Sequence, residues 1–164
     1  MLTRARWGAA DAGRSWRAAA LGALIACALA APETARAALG ENVASPARDH
    51  EALRGTLAVT PMQRYDVHEI VTASGVTVRE YAAHTGPVFA VTWSGTQVPD
   101  LKLLLGTYFD RYVSLAKTHR TGHHVLSIES PDLVMTAVRF QRTATGRAYV
   151  PALLPSGVSR GELR

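Results

Sequence analysis

The first half of the chain carries short apolar-rich stretches at residues 57–59, 65–72, 76–82 and 88–92. All four are rich in β-branched and aromatic residues. Thr60-Pro61, Ser74-Gly75 and Thr85-Gly86-Pro87 separate them. Short β-rich stretches bounded by turn formers describe a meander of short antiparallel strands. After Ser94-Gly95 the period changes to 3.6. Leu101, Leu104, Leu105, Tyr108, Phe109, Tyr112, Leu115 and Ala116 fall within about 140° of a helical wheel, with Lys102, Asp110, Ser114 and Lys117 facing away. Asp100 supplies an N-cap oxygen, and Lys117, His119 and Arg120 place positive charge where the helix dipole favours it. Gly106 lies at the edge of the apolar stripe, a position that suits close approach of the helix backbone to a sheet. Beyond Gly122, residues 125–129 alternate and Ser130-Pro131-Asp132 turns. Residues 133–142 read as one long strand, and Gly146 as a turn into residues 147–150. Leu153, Leu154 and Val158 keep the following tail apolar enough to lie against the body. The pattern predicts an α+β fold: an antiparallel β-meander packed against one amphipathic helix, with further strands after the helix.

The first 37 residues have a different character. Arg4, Arg6, Arg14 and Arg17 precede an apolar stretch over residues 18–31, and Pro32 ends it before Ala35-Arg36-Ala37. This is the order of a secretory signal peptide, with cleavage between Ala37 and Ala38. The apolar stretch is shorter than the roughly 20 residues that a membrane-spanning helix needs, and no transmembrane span is expected in the mature chain. Leu24-Ile25-Ala26-Cys27 also follows the order that bacterial lipoprotein processing favours. Lipid attachment at Cys27 would tether the protein to a membrane, although the small-x-small site ten residues on favours ordinary cleavage. Residues 38–52 read as a flexible lead-in, and 53–164 as a single domain.

Removing the leader changes the electrostatics. Of the 18 Lys and Arg, five lie in the leader, as do two of the 13 Asp and Glu, so the formal charge falls from +5 to +2. No basic cluster remains in the mature part, which argues against a nucleic-acid partner. The one Cys, Cys27, goes with the leader, so disulfides and Cys-rich zinc sites are excluded and stability must come from packing. With 48% hydrophobic residues, the chain has the material for a core.

The hairpin around Ser74-Gly75 carries the most specific candidate chemistry. A two-residue loop would set Glu69 opposite Glu80 and His68 opposite Tyr81, placing two carboxylates face to face. A three-residue loop over Ala73-Ser74-Gly75, with Gly75 in the left-handed position, sets Glu69 opposite Arg79 and His68 opposite Glu80. Charge favours the second register. His68, Glu69, Arg79 and Glu80 are therefore candidates for an acid/base or binding site, and equally for cross-strand pairing on a partly exposed face. His119, His123 and His124 are candidate metal ligands. The first two are spaced for one side of a helix, but Gly122 breaks that helix and no Glu follows His119, so solvated histidines at a helix end are the better reading. No cofactor motif is present: Ser74 and Ser94 lack the nucleophile elbow, and no phosphate-binding glycine pattern appears. Trp93 suits a core or rim position better than a groove wall.

Several segments together resemble a known family: Ala38-Leu39-Gly40, Val67-His68-Glu69-Ile70, Ala73-Ser74-Gly75, Val78-Arg79-Glu80-Tyr81, residues 88–95, Pro99-Asp100-Leu101, residues 105–109 and residues 150–155. The family is an uncharacterised one of exported proteins from Gram-negative bacteria, catalogued as domain of unknown function two-eight-four-four. The resemblance spans essentially the whole chain after the leader. It implies export, periplasmic or secreted, and assigns no activity, cofactor or catalytic residue. Two classes of function are consistent with these observations. One is a non-catalytic envelope module that binds an envelope ligand or protein. The other is a small envelope hydrolase using His68 with a carboxylate. The lack of a nucleophile motif favours the binding module.

Overall fold

The computed structural model describes residues 39–41, 53–84, 86–118 and 124–164. Seven strands form one antiparallel sheet: β1 (Gly55–Pro61), β2 (Tyr65–Thr72), β3 (Thr77–Ala83), β4 (Val88–Gly95), β5 (Val125–Glu129), β6 (Val134–Phe140) and β7 (Thr143–Tyr149). Their spatial order is β1-β2-β3-β4-β7-β6-β5. The first four strands run as a meander. The chain then crosses to the far edge through the helical segment and returns strand by strand until β7 closes against β4.

β4 sits at the centre, and the whole of Val88 to Trp93 is buried. An unbroken apolar run fits a strand covered on both faces. On one face lies the helical layer with Leu104 and Leu105 fully buried, over Ile70, Val78, Val91, Trp93, Ile128 and Met135. On the other lies the tail, whose Leu153, Leu154, Val158 and Leu163 cover Tyr65, Tyr81, Phe89 and Tyr149. A bulge where β3 meets β4, at Tyr81/Ala82, lets Phe89 join the tail-side aromatic group. Its ring meets that of Tyr65 edge-on at 5.6 Å. Among the described residues, no helix is long and apolar enough to cross a membrane.

The helical segment is two pieces rather than one. Helix α1 (Leu101–Leu105) begins at Asp100, whose Oδ1 accepts from the Lys102 and Leu103 backbone N–H groups at 2.9 and 3.2 Å. It stops at Gly106 (φ +47°, ψ −118°), a backbone conformation that side chains with a Cβ avoid. A 3₁₀ turn, Gly106–Tyr108, then leads into helix α2 (Phe109–Ala116). The backbone geometry at this bend accounts for a glycine at position 106. Arg111 of α2 bonds Asp132 through two nitrogens, at 2.7 and 3.3 Å, tying the helix to the β5–β6 turn.

Three further expectations are corrected. Gly146 is no turn: it lies inside β7 directly opposite Trp93 on β4. A Cβ at Gly146 would overlap the indole, so glycine is required there by the approach of the ring. The long strand over residues 133–142 is β6 followed by a two-residue loop, with Gln141 at φ +51° and Phe140 facing Thr143. Pro61 ends β1 rather than marking a turn, which an edge strand tolerates because no ladder bond is lost. Within the stretch read as a lead-in, Leu39 is fully buried and its N–H donates to the Leu104 carbonyl at 3.0 Å. Gly40 and Glu41 exchange backbone hydrogen bonds with Val88.

Substituting Gly146→Ala forces a methyl into the indole of Trp93. The expected cost is about 1–3 kcal/mol by urea denaturation, typical of overpacking, and pairing it with Trp93→Phe should recover part of the loss.

Candidate ligand-binding face

The β2–β3 hairpin adopts the three-residue loop. Gly75 has φ +76°, the Thr72 N–H donates to the Val76 carbonyl at 2.9 Å, and the register sets His68 opposite Glu80 and Glu69 opposite Arg79. Because side chains alternate between faces, the four residues separate into two pairs. His68 and Glu80 point to the helix side, on the same row as Val91, Ala148, Met135 and Ile128, and are 8% and 0% exposed. Burial pushes the His68 pKa below its ordinary value, against an opposing pull from the Asp66 carboxylate. Among the described residues neither ring nitrogen has a hydrogen-bond partner.

Glu69 and Arg79 point to the tail side and form a half-exposed ion pair, Nε to Oε2 at 2.6 Å. Such a pair is worth about 0–1 kcal/mol. The sheet thus stands between His68 and the Glu69–Arg79 pair. The four candidates do not converge on one point. Of the histidines considered as metal ligands, His119 and His123 lie outside the described residues, and His124 is exposed beside β5. Among the described residues, no three His, Cys, Asp or Glu side chains come together to hold a metal ion.

The tail-side face holds a more developed arrangement. Across the sheet, one row reads Glu69, Arg79, Thr92, Arg147, Thr136 and Ser127 on adjacent strands. The next row reads Thr77, Ser94, Thr145 and Val138. The tail crosses the first row at its last residues. The Arg164 backbone oxygen accepts from Tyr81 Oη at 2.6 Å, Arg79 Nη1 at 3.1 Å and Thr92 Oγ1 at 3.4 Å. In turn the Arg164 N–H donates to Tyr81 Oη at 3.0 Å. Leu163, 3% exposed, is driven into the aromatic group beside it.

A short 3₁₀ turn, Arg160–Glu162, positions these residues and is closed by a capping box. The Ser159 N–H donates to Glu162 Oε1 at 2.9 Å, while the Ser159 side chain accepts from the Glu162 backbone. The Ser159 backbone and side-chain hydrogen bonds, together with the Tyr65 hydroxyl and nearby Arg64, hold the Glu162 carboxyl below its usual pKa. The sequence carried the signal for this anchor, since Ser159-Arg160-Gly161-Glu162 has the Ser-x-x-Glu spacing of such a box.

Beside the docked tail lies a cavity of about 440 Å³. Its lining includes Thr77, Thr92, Ser94, Thr136 and Thr145, together with Arg79, Arg147 and Arg164, and contains no Asp or Glu. Of the three guanidinium groups, only Arg79 is in an ion pair among the described residues. Arg147 reaches the Arg160 carbonyl at 3.3 Å, and Arg164 the Gly161 carbonyl at 3.1 Å. Both acceptors are neutral carbonyls, and neither guanidinium is in an ion pair with an Asp or Glu among the described residues. Residue by residue, this face was invisible to motif reading, because its members come from four strands and meet only once the register is set.

Two outcomes follow from this geometry. Tyr81→Phe removes a hydroxyl that both donates to and accepts from Arg164. It should cost about 1–3 kcal/mol in equilibrium unfolding and speed tryptic cleavage at Arg160. His68 enters the fold neutral, so the unfolded chain binds its proton more readily. Stability should be full above about pH 6.5 and fall as the pH drops below it, and His68→Leu should flatten that fall in urea titrations at a series of pH values.

No curated protein and no solved structure matches the chain. One family model does match, over residues 35–163, described as "Protein of unknown function (DUF2844)". That span takes in the seven strands, both helices and the tail anchor, and the chain belongs to this family.

Proposed function

We propose that the protein is an exported, non-catalytic binding module of the bacterial envelope, periplasmic or secreted, and that it holds its ligand on the tail-side face of the sheet. The observation that carries this reading is the cavity beside the docked tail. Hydroxyls from β3, β4, β6 and β7 and the guanidinium groups of Arg147 and Arg164 line one concave surface that contains no Asp or Glu. Ligand sites are concave and fix orientation with a few converging polar groups, which this surface has. His68 and Glu80 face each other across β2 and β3, but both are buried on the helix side and neither lines this cavity, which supports binding on the tail-side face. Export rests on the leader: four arginines, an apolar stretch and Ala35-Arg36-Ala37. Cleavage after Ala37 would retain Leu39, which the core uses.

N-terminal sequencing of protein recovered from fractionated host cells tests export. Ala38 as the first residue in an envelope or culture fraction is the expected result, and Met1 retained on cytosolic material overturns it. Ligand binding is tested by a thermal-shift screen against envelope glycans, peptides and divalent metals. A ligand that binds only the folded form raises Tm, and the rise should shrink in Arg147→Gln.

A further inference from the structure

We infer that the tail-side cavity takes an acidic oligosaccharide, a chain of sugar rings bearing carboxylates, lying across strands β3, β4 and β7. The inference rests on the binding-module reading above and names its ligand class.

The register sets the positions. Thr77, Ser94 and Thr145 are directly opposite one another on three adjacent strands, so these hydroxyl-bearing positions repeat at the inter-strand step of about 4.8 Å. That step is close to the advance of one ring in an extended saccharide chain. Arg79, Thr92 and Arg147 form a parallel row on the same strands, which places two guanidinium-bearing positions two strands apart, about 10 Å. A ligand lying over the hydroxyl row therefore has Arg147 on its flank, while Arg79 two strands away is bonded to Glu69 and to the Arg164 oxygen.

The chemistry of the lining selects among anions. Backbone N–H and C=O groups at the middle of a sheet are spent in the ladders, so recognition falls to side chains. A hydroxyl is both donor and acceptor, and a row of hydroxyls is best matched by a ligand that is also both. Sugar hydroxyls satisfy this, whereas phosphate oxygens only accept. The guanidinium fork pairs with a carboxylate. Val138 and Leu163 at the margin, with the threonine methyls, offer apolar contact to the C–H faces of sugar rings. The docked tail shows that this surface holds an acceptor oxygen: Tyr81, Arg79 and Thr92 already converge on one at Arg164.

The test is isothermal titration, with Tm measured in parallel, on the protein as purified from its host cells. The probes are hexagalacturonate, a neutral glucan hexamer and inorganic tripolyphosphate. Hexagalacturonate should bind and raise Tm, with the neutral hexamer and tripolyphosphate each at least about tenfold weaker, the loss that follows from removing one charged hydrogen-bonding set. Arg147→Gln should weaken hexagalacturonate by about tenfold, and Thr145→Val, at an exposed site that leaves folding intact, by a few-fold. Equal binding of the neutral hexamer or of tripolyphosphate overturns the inference, as does unchanged affinity in both variants. If a peptide or neutral glycan binds in an Arg147-dependent way and hexagalacturonate does not, the ligand class fails and the binding module stands. If no probe of any class responds to Arg147→Gln, both fail.

Discussion

A strand buried on both faces cannot be satisfied by a single covering layer, and β4 imposes that requirement on the whole molecule. Its six consecutive buried residues direct Val88, Val91 and Trp93 to one side and Phe89, Ala90 and Thr92 to the other. The helical segment answers the first side and the tail the second. Each covering layer is then held by hydrogen bonds of its own: Leu39 to Leu104 on the helix side, Arg164 to Tyr81 on the other. Removing apolar area from water supplies the drive, and these polar contacts choose the position at which each layer settles.

The same arrangement explains why the two sides of one hairpin have different characters. A single register decision at Ala73-Ser74-Gly75 sends His68 and Glu80 inward and Glu69 and Arg79 outward. Inside, burial disfavours the charged form of His68. Outside, the tail covers only part of the sheet, and the polar rows of β3, β4 and β7 stay within reach of a ligand. The proposed ligand surface is the portion of the second face that the tail leaves uncovered.

Much of the architecture was legible in the sequence because it is written in local periods. The alternation in β2 and β3, the helical stripe from Leu101 to Ala116, and the charge argument at Glu69 and Arg79 each needed only neighbours along the chain. What escaped depended on partners far away in sequence. Gly146 looks like a turn former until Trp93, more than fifty residues earlier, is seen to lie on it. Gly106 fits a helical wheel, which records the direction of side chains and says nothing about ψ. The candidate face is the extreme case. Thr77, Ser94 and Thr145 form a row only because β7 pairs with β4, and no pattern within any one strand records that pairing.

The closing ladder between β4 and β7 also bears on how the molecule assembles. Strands β1 to β4 and strands β5 to β7 are two hairpin series whose internal contacts are close in sequence, and the β4–β7 seam is the one place where the sheet joins residues from opposite halves of the chain. Loop-closure entropy makes such long-range pairing the slow part of folding. A chain emerging from its N-terminal end presents β4 with an open, strongly apolar edge until β7 arrives. That interval is when the nascent protein is most exposed to aggregation and has most need of a chaperone.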